Sequence, residues 1–153
     1  MIRVQREDFD VGAELERLTT GNPRIGAVAS FIGLVRNMGG SDRVSALTLE
    51  HYPGMTERKL AEIEAEAHSR WPLDAALVIH RYGTLNPGDR IVLVATASRH
   101  REAALAACHF LIDWLKTEAP FWKSEETPAG ERWVESRAED DAARERWTPA
   151  LKV

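Results

Sequence analysis

Residues Phe121–Ser136 read FWKSEETPAGERWVES. Two strand-like runs, 121–126 and 132–136, flank Thr127-Pro128-Ala129-Gly130, a turn-forming tetrad, so the segment predicts a hairpin. A hairpin pairs its strands antiparallel. Upstream, strand-like and helix-like segments are mixed instead of strictly alternating. Together these features predict an α+β fold with a mainly antiparallel sheet and packed helices, in preference to a doubly wound parallel sheet.

Immediately before the hairpin, Leu115–Glu125 reads LKTEAPFWKSE, in which Lys116 and Lys123 bracket a rigid apolar Ala-Pro-Phe-Trp hinge. Lysine is among the residues least often fully buried. These two are either solvated ends of a core turn or cations reaching into one pocket. Lys116 falls in the last turn of a helix predicted from about Arg101 to Glu118, where a cation suits the helix dipole. Alternation puts Lys123 on the face of Phe121, opposite Trp122. An ordinary lysine, titrating near about 10.4, is an ammonium at pH 7. Holding a phosphate needs no change in that state; acting as base or nucleophile needs a drop of about three units. Both roles stay open.

Further out, Ala104, Leu105, Cys108, Leu111, Ile112 and Leu115 make the 101–118 helix apolar over much of its circumference, predicting cover on more than one side. Before it, Ile91-Val92-Leu93-Val94 predicts a buried strand, Gly83 to Asp89 a turn, and Ala75 to Tyr82 another strand. Leu60, Ile63, Ala67 and Trp71 form one stripe of a helix ending near Arg70, with Thr56 as its cap. Val44 to Tyr52 and Ile25 to Arg36 predict strands, the glycines of the second marking a bulge or a close backbone approach. Between them Asn37–Asp42 is a glycine-containing loop. Asp10 caps a helix carrying Val11, Leu15 and Leu18, residues 2–6 suggest a short strand, and a charged helix runs from about Ala138 to Trp147. A single domain spanning 1–153 is expected.

The 153 residues include one cysteine, Cys108, which excludes an intrachain disulfide and a cysteine-rich metal site. A net charge of −4 argues against nucleic-acid binding, and no apolar run is long enough to span a membrane. The charged start, MIRVQREDFD, lacks a signal-peptide core, so a cytoplasmic location is expected. No two histidines have metal-ligand spacing, and neither a metal nor another cofactor is expected.

Ser98-Arg99-His100-Arg101 stacks cations on a helix N-terminus, an arrangement that an anion would reverse from unfavourable to favourable. Solvated side chains would explain it equally. Arg36, at a strand end, either clamps a phosphate or is a solvated edge charge. His51, His80 and His109 are weaker candidates, His109 simply pairing with Asp113, and Cys108 reads as a small core residue. From residues alone, the chain is an α+β domain with a candidate anion pocket.

Five stretches in register carry a resemblance: Phe31–Arg36 (FIGLVR), Leu49–Thr56 (LEHYPGMT), Ile79–Arg81 (IHR), Ser98–Arg101 (SRHR) and Leu115–Lys123 (LKTEAPFWK). In order and spacing, from about residue 20 to Trp147, the chain resembles the large, catalytic subunits of molybdopterin synthase. The resemblance implies an α/β-hammerhead fold and a sulfurtransferase that converts cyclic pyranopterin monophosphate (precursor Z) to molybdopterin by building a dithiolene. It implies a small ubiquitin-like sulfur-carrier partner ending in a Gly-Gly thiocarboxylate, and a central dimer of this chain with one carrier at each end, a heterotetramer. Carried over by position, His100 and Arg101 are a substrate-anchoring pair. Arg36 is a third anion contact, supplied across the dimer. Lys116 is the principal catalytic lysine and Lys123 the second, and Ser124 and Glu125 complete the substrate-binding stretch. Many relatives have a basic residue where this chain has Ser124, which alternation turns away from Lys123, with a weakened edge contact to the carrier as the expected cost. The competing reading is a non-catalytic docking module for a Gly-Gly-tailed carrier.

Overall fold

The computed structural model describes residues 1–37, 45–128, 130–134 and 138–148, with the side chains of 132–134 and 138–140 excepted. In chain order the elements are β1 (Ile2–Gln5), α1 (Val11–Thr19), β2 (Ala27–Leu34), β3 (Ala46–His51), α2 (Met55–Arg70), β4 (Leu73–Arg81), β5 (Gly83–Leu85), β6 (Arg90–Ser98), α3 (Arg101–Thr117), β7 (Phe121–Thr127), β8 (Gly130–Val134) and α4 (Ala138–Glu145). Two four-stranded sheets form, ordered β1-β4-β6-β2 and β5-β3-β7-β8. Among the described residues only the β1–β4 pair is parallel. The fold is therefore α+β with antiparallel pairing dominant, as the hairpin at 121–136 predicts.

The first sheet is covered on both faces, and alternation sorts its side chains. Val78, Val92 and Val94 join Leu60, Ile63 and Ala67 of α2 and Ala104, Cys108, Phe110, Leu111 and Leu115 of α3 in one cluster. Their neighbours Leu77, Ile79, Leu93 and Ala95 face the other way, against Phe9 and the Val11, Leu15, Leu18 stripe of α1. This two-sided burial is why 91–94 reads as an unbroken apolar run. Each fully buried Leu or Ile contributes about 1.5–3 kcal/mol. A third cluster, Val35, Leu47, Leu49 and Leu85, lies on the inner face of the second sheet.

Gly26 and Gly33 are the close approaches anticipated: a Cβ would lie 2.2 Å from the Arg99 carbonyl oxygen at Gly26 and 2.8 Å from Val92 Cγ1 at Gly33, and the β2–β6 register shifts at Gly33/Leu34. Asp10 caps α1, its Oδ1 accepting from the Ala13 N–H at 3.0 Å. Two local expectations are corrected. Thr56 does not cap α2; Gly54 at φ 84° precedes the helix, and the Glu57 carboxylate accepts the Gly54 N–H at 2.6 Å. Thr56 is buried one residue inside, its hydroxyl donating back to the Tyr52 carbonyl at 2.8 Å. Nor is Gly83–Asp89 all turn, because Gly83–Leu85 pairs antiparallel with Leu47–Leu49, leaving the turn to residues 86–89. The loop expected over 37–42 lies almost wholly outside the described residues.

Candidate active site

Helix α3 and strand β7 are joined by only Glu118, Ala119 and Pro120. The Phe121 N–H donates to the Ala119 carbonyl at 2.8 Å, closing the corner. Beyond it β7 pairs with β3, Phe121 opposite His51, Lys123 opposite Leu49 and Glu125 opposite Leu47. Cross-strand partners share a face, so Phe121, Lys123 and Glu125 lie on the side of buried Leu47 and Leu49. Lys123 is half-buried there, while Lys116, in the last turn of α3, is exposed.

Both lysines converge electrostatically on His80. This residue, near the end of β4, is 7% exposed. Its ring stacks on Phe121 at 3.7 Å and 16°, and Nδ1–H donates to the Arg81 carbonyl at 2.8 Å. Burial pushes the imidazole down to about 3, with the positive charges of Lys123 and Lys116 and the neighbouring His51 acting in the same direction and the Arg81 carbonyl opposing. His80 is thus a neutral aromatic floor between two cations. His51 stands on the other flank, its ring 6.0 Å from Phe121 and 4.5 Å from Tyr82. The Thr56 hydroxyl, already donating to Tyr52, accepts from His51 Nδ1–H at 3.1 Å.

The remaining predicted residues are distributed unevenly. Arg36 is exposed, two residues past β2, at the end of the first sheet where Leu34 pairs with Arg90 and His80 with Val92. Buried Val35 anchors that exit through its N–H to the Asp89 carbonyl, 2.9 Å. His100 and Arg101 are exposed at the start of α3. At about 1.5 Å per residue, Arg101 sits about 22 Å from Lys116 along the helix. One chain does not bring them into one pocket. Arg99 and His100 instead line a cavity of about 620 Å³ with Trp71, Asp74, Ser98 and Glu102.

Ser124 is also placed differently from the expectation. It does face away from Lys123, but β7 lies between β3 and β8 and is not an edge. The residue is 3% exposed and its hydroxyl donates to the Glu131 carboxylate. Cys108 is a core residue, its thiol pushed up to about 11 by burial. His109 does lie against Asp113, Nε2 to Oδ2 3.3 Å. Among the described residues no group of three or more His, Cys, Asp or Glu side chains is arranged to hold a metal, and no helix is long and apolar enough to cross a membrane.

Sequence reasoning undervalued His51 and His80. The available signal was position: each lies near the end of a predicted strand whose alternate residues are apolar. What it lacked was the β3–β7 pairing that sets both rings beside Phe121.

The family model described as MoaE protein matches residues 4–118. The chain belongs to the MoaE protein family. It is 59% identical over 146 residues to the molybdopterin synthase catalytic subunit of Ralstonia nicotianae, covering 95% of this chain and 83% of that protein. It is 54% identical over 146 residues to the Escherichia coli protein of the same name, covering 95% and 97%. Among solved structures, the MoaE protein of Burkholderia ambifaria superposes with a TM-score of 0.83 at 54% identity, over 96% of this chain and 97% of that one. Molybdopterin synthase from Staphylococcus aureus gives 0.79 at 34%, over 87% and 96%. The MoaE family match takes in Arg36, His100, Arg101 and Lys116 and ends before Lys123.

Proposed function

We propose that this chain is the catalytic subunit of a molybdopterin synthase, a sulfurtransferase of molybdenum cofactor biosynthesis. Its reaction takes sulfur from the C-terminal thiocarboxylate of a small ubiquitin-like carrier and places it on cyclic pyranopterin monophosphate, building the dithiolene. The observation that carries this reading is the α3–β7 corner, which sets Lys116 and Lys123 about one neutral, stacked His80–Phe121 floor, in a chain 59% identical to a molybdopterin synthase catalytic subunit.

The electrostatics fit the chemistry. A thiocarboxylate and a phosphate repel, and two unit charges at 4 Å interact by about 4 kcal/mol at an effective dielectric of 20. Two ammonium groups offset that repulsion, and a fixed cation aimed at developing negative charge lowers the barrier without reorganising. Because His80 is neutral, the floor adds no competing charge. Lys116 and Lys123 meet the reacting groups, Glu125 sits on the face of Lys123, and Arg36, His100 and Arg101 hold the phosphate-bearing substrate.

The distance between His100–Arg101 and Lys116 supports a site completed by a second copy of this chain. The outer edge of β2 suits that copy: Val28, Phe31, Ile32 and Leu34 are exposed along a strand that ends its sheet among the described residues, an arrangement that invites pairing. The assembly is then a central dimer with one carrier at each end, working in the cytoplasm. The test is dithiolene formation from the pterin and thiocarboxylated carrier by the purified protein, with Lys116→Ala alongside. Product from the wild type and a loss of at least 100-fold in the variant is expected. Carrier binding with no wild-type product would make the chain a docking module.

A further inference from the structure

Sulfur transfer from an acyl carrier needs a base that the cations of this site do not supply. For sulfur to stay on the pterin, the acyl carbon–sulfur bond of the carrier must break after the new carbon–sulfur bond has formed. Water supplies the oxygen that replaces the sulfur, and that water must lose a proton. Arginine and the lysine ammonium are donors only, and His100 is taken up with holding the phosphate-bearing substrate on the reading above.

We propose that His51 is the proton acceptor for this step, held in one tautomer by Thr56; the assignment rests on the sulfur-transfer reading. The geometry is that of a base with an orienting partner. The Thr56 hydroxyl has one proton, which goes to the Tyr52 carbonyl at 2.8 Å, so toward His51 it can only accept. His51 Nδ1 therefore carries the proton in that 3.1 Å bond, and in the neutral imidazole Nε2 has the lone pair. Thr56 is fully buried in the first turn of α2, and Tyr82 and Phe121 limit the tilt of the ring. An imidazole fixed through one nitrogen and basic at the other is the usual form of a histidine base. The groups set against it are Tyr82, just past β4, and Phe121 on β7, and its charge is felt at His80, on which Lys123 and Lys116 also act. Arg6 covers the Tyr82 ring at 4.8 Å, and Glu57 of α2 is turned to the Gly54 N–H.

Atoms and charge balance. Water gives one proton to Nε2 while its oxygen bonds the acyl carbon; the acyl carbon–sulfur bond breaks, and its electron pair leaves with sulfur. The imidazolium returns its proton to the pterin thiolate. The new carboxyl group ionises to solvent, leaving the carrier with an ordinary carboxylate and His51 as it began.

The test is single-turnover reaction with acid quench and intact mass, using precursor Z and thiocarboxylated carrier. The wild type should form product without accumulating a covalent carrier–pterin thioester. His51→Gln should slow product formation at least 100-fold while that thioester accumulates. Thr56→Val should do the same more weakly, and Thr56→Ser should restore the wild-type course. A merely structural role would slow both halves of the reaction and leave no adduct. His51→Gln with product formation within threefold of wild type overturns the assignment, as does adduct in Glu125→Gln but not in His51→Gln. A wild type that makes no product overturns the sulfurtransferase reading itself, a result distinguishable from all of these.

Discussion

The two ends of α3 are built differently. At its C-terminal end Lys116 lies beside a packed aromatic floor, with His80 buried, Phe121 stacked on it and Lys123 half-buried on the adjoining strand. At its N-terminal end Arg99, His100 and Arg101 are all exposed, beside a cavity that also includes the carboxylates of Asp74 and Glu102. A half-buried cation such as Lys123, beside a packed floor, suits charge that develops during a reaction. Solvated cations at a helix N-terminus suit an anion that only has to be held. On the proposed reading the difference divides the labour, the Lys116 end doing chemistry and the His100 end binding.

Substitutions should separate the two ends by which kinetic constant they move. Lys116→Ala or Lys123→Ala should cost about 10²–10⁴-fold in kcat, measured at saturating pterin with carrier affinity checked by titration. An equal effect on KM alone would erase the distinction. His100→Ala or Arg101→Ala should raise KM for the pterin about tenfold, the loss of about one charge-assisted contact, with kcat changed much less. A collapse of kcat would move these residues into the chemical step.

Smaller effects test the floor beneath the lysines. His80 has a folded value near 3, pushed there mainly by burial, against about 6.5 unfolded. Between those values the unfolded chain binds the extra proton, so stability falls as pH drops from about 6.5 toward 3 and is unaffected above. His80→Phe should remove about 2–3 kcal/mol of the loss between pH 7.5 and 4.5, read from urea unfolding at both values. An unchanged pH difference would mean that His80 is protonated in the folded protein. Glu14, held down by Arg3 and Arg17, also loses its contribution as pH falls through its lowered value, and remains as a common background. Ser124→Ala removes the hydrogen bond to Glu131 on the face of β7 opposite Lys123. It should cost about 1 kcal/mol and about 2–4 °C in Tm, with carrier affinity unchanged.

Much of this was legible in the sequence because it depends on local pattern. The hairpin at 121–136, the Leu60–Ile63–Ala67 stripe and the doubly buried run at 91–94 each arise from periodicity and turn chemistry. The α/β-hammerhead expectation and the roles proposed for Lys116 and Lys123 came through the resemblance to a family. What stayed hidden depends on pairing between distant segments. Gly83–Leu85 is a strand only because β3 offers it an edge, and Thr56 is buried because His51 and Tyr52 take up its hydroxyl. Ser124 is interior because β8 covers the far side of β7. His51 and His80 gain their setting from the same β3–β7 pairing. The separation of His100 from Lys116 was in principle legible, since a continuous helix from 101 to 118 fixes their distance.

Complementation between copies tests the division of labour most directly. Lys116→Ala and His100→Ala chains, each about tenfold or more impaired alone in kcat/KM, are co-expressed with distinguishable tags, and the mixed dimer is purified and assayed with thiocarboxylated carrier and precursor Z well below its KM. If each site draws Lys116 from one copy and His100 from the other, half of the mixed dimer's sites carry both residues and half carry neither, so activity recovers to about half that of the wild-type dimer. A mixed dimer no more active than the average of its two parents would contradict a site shared between copies.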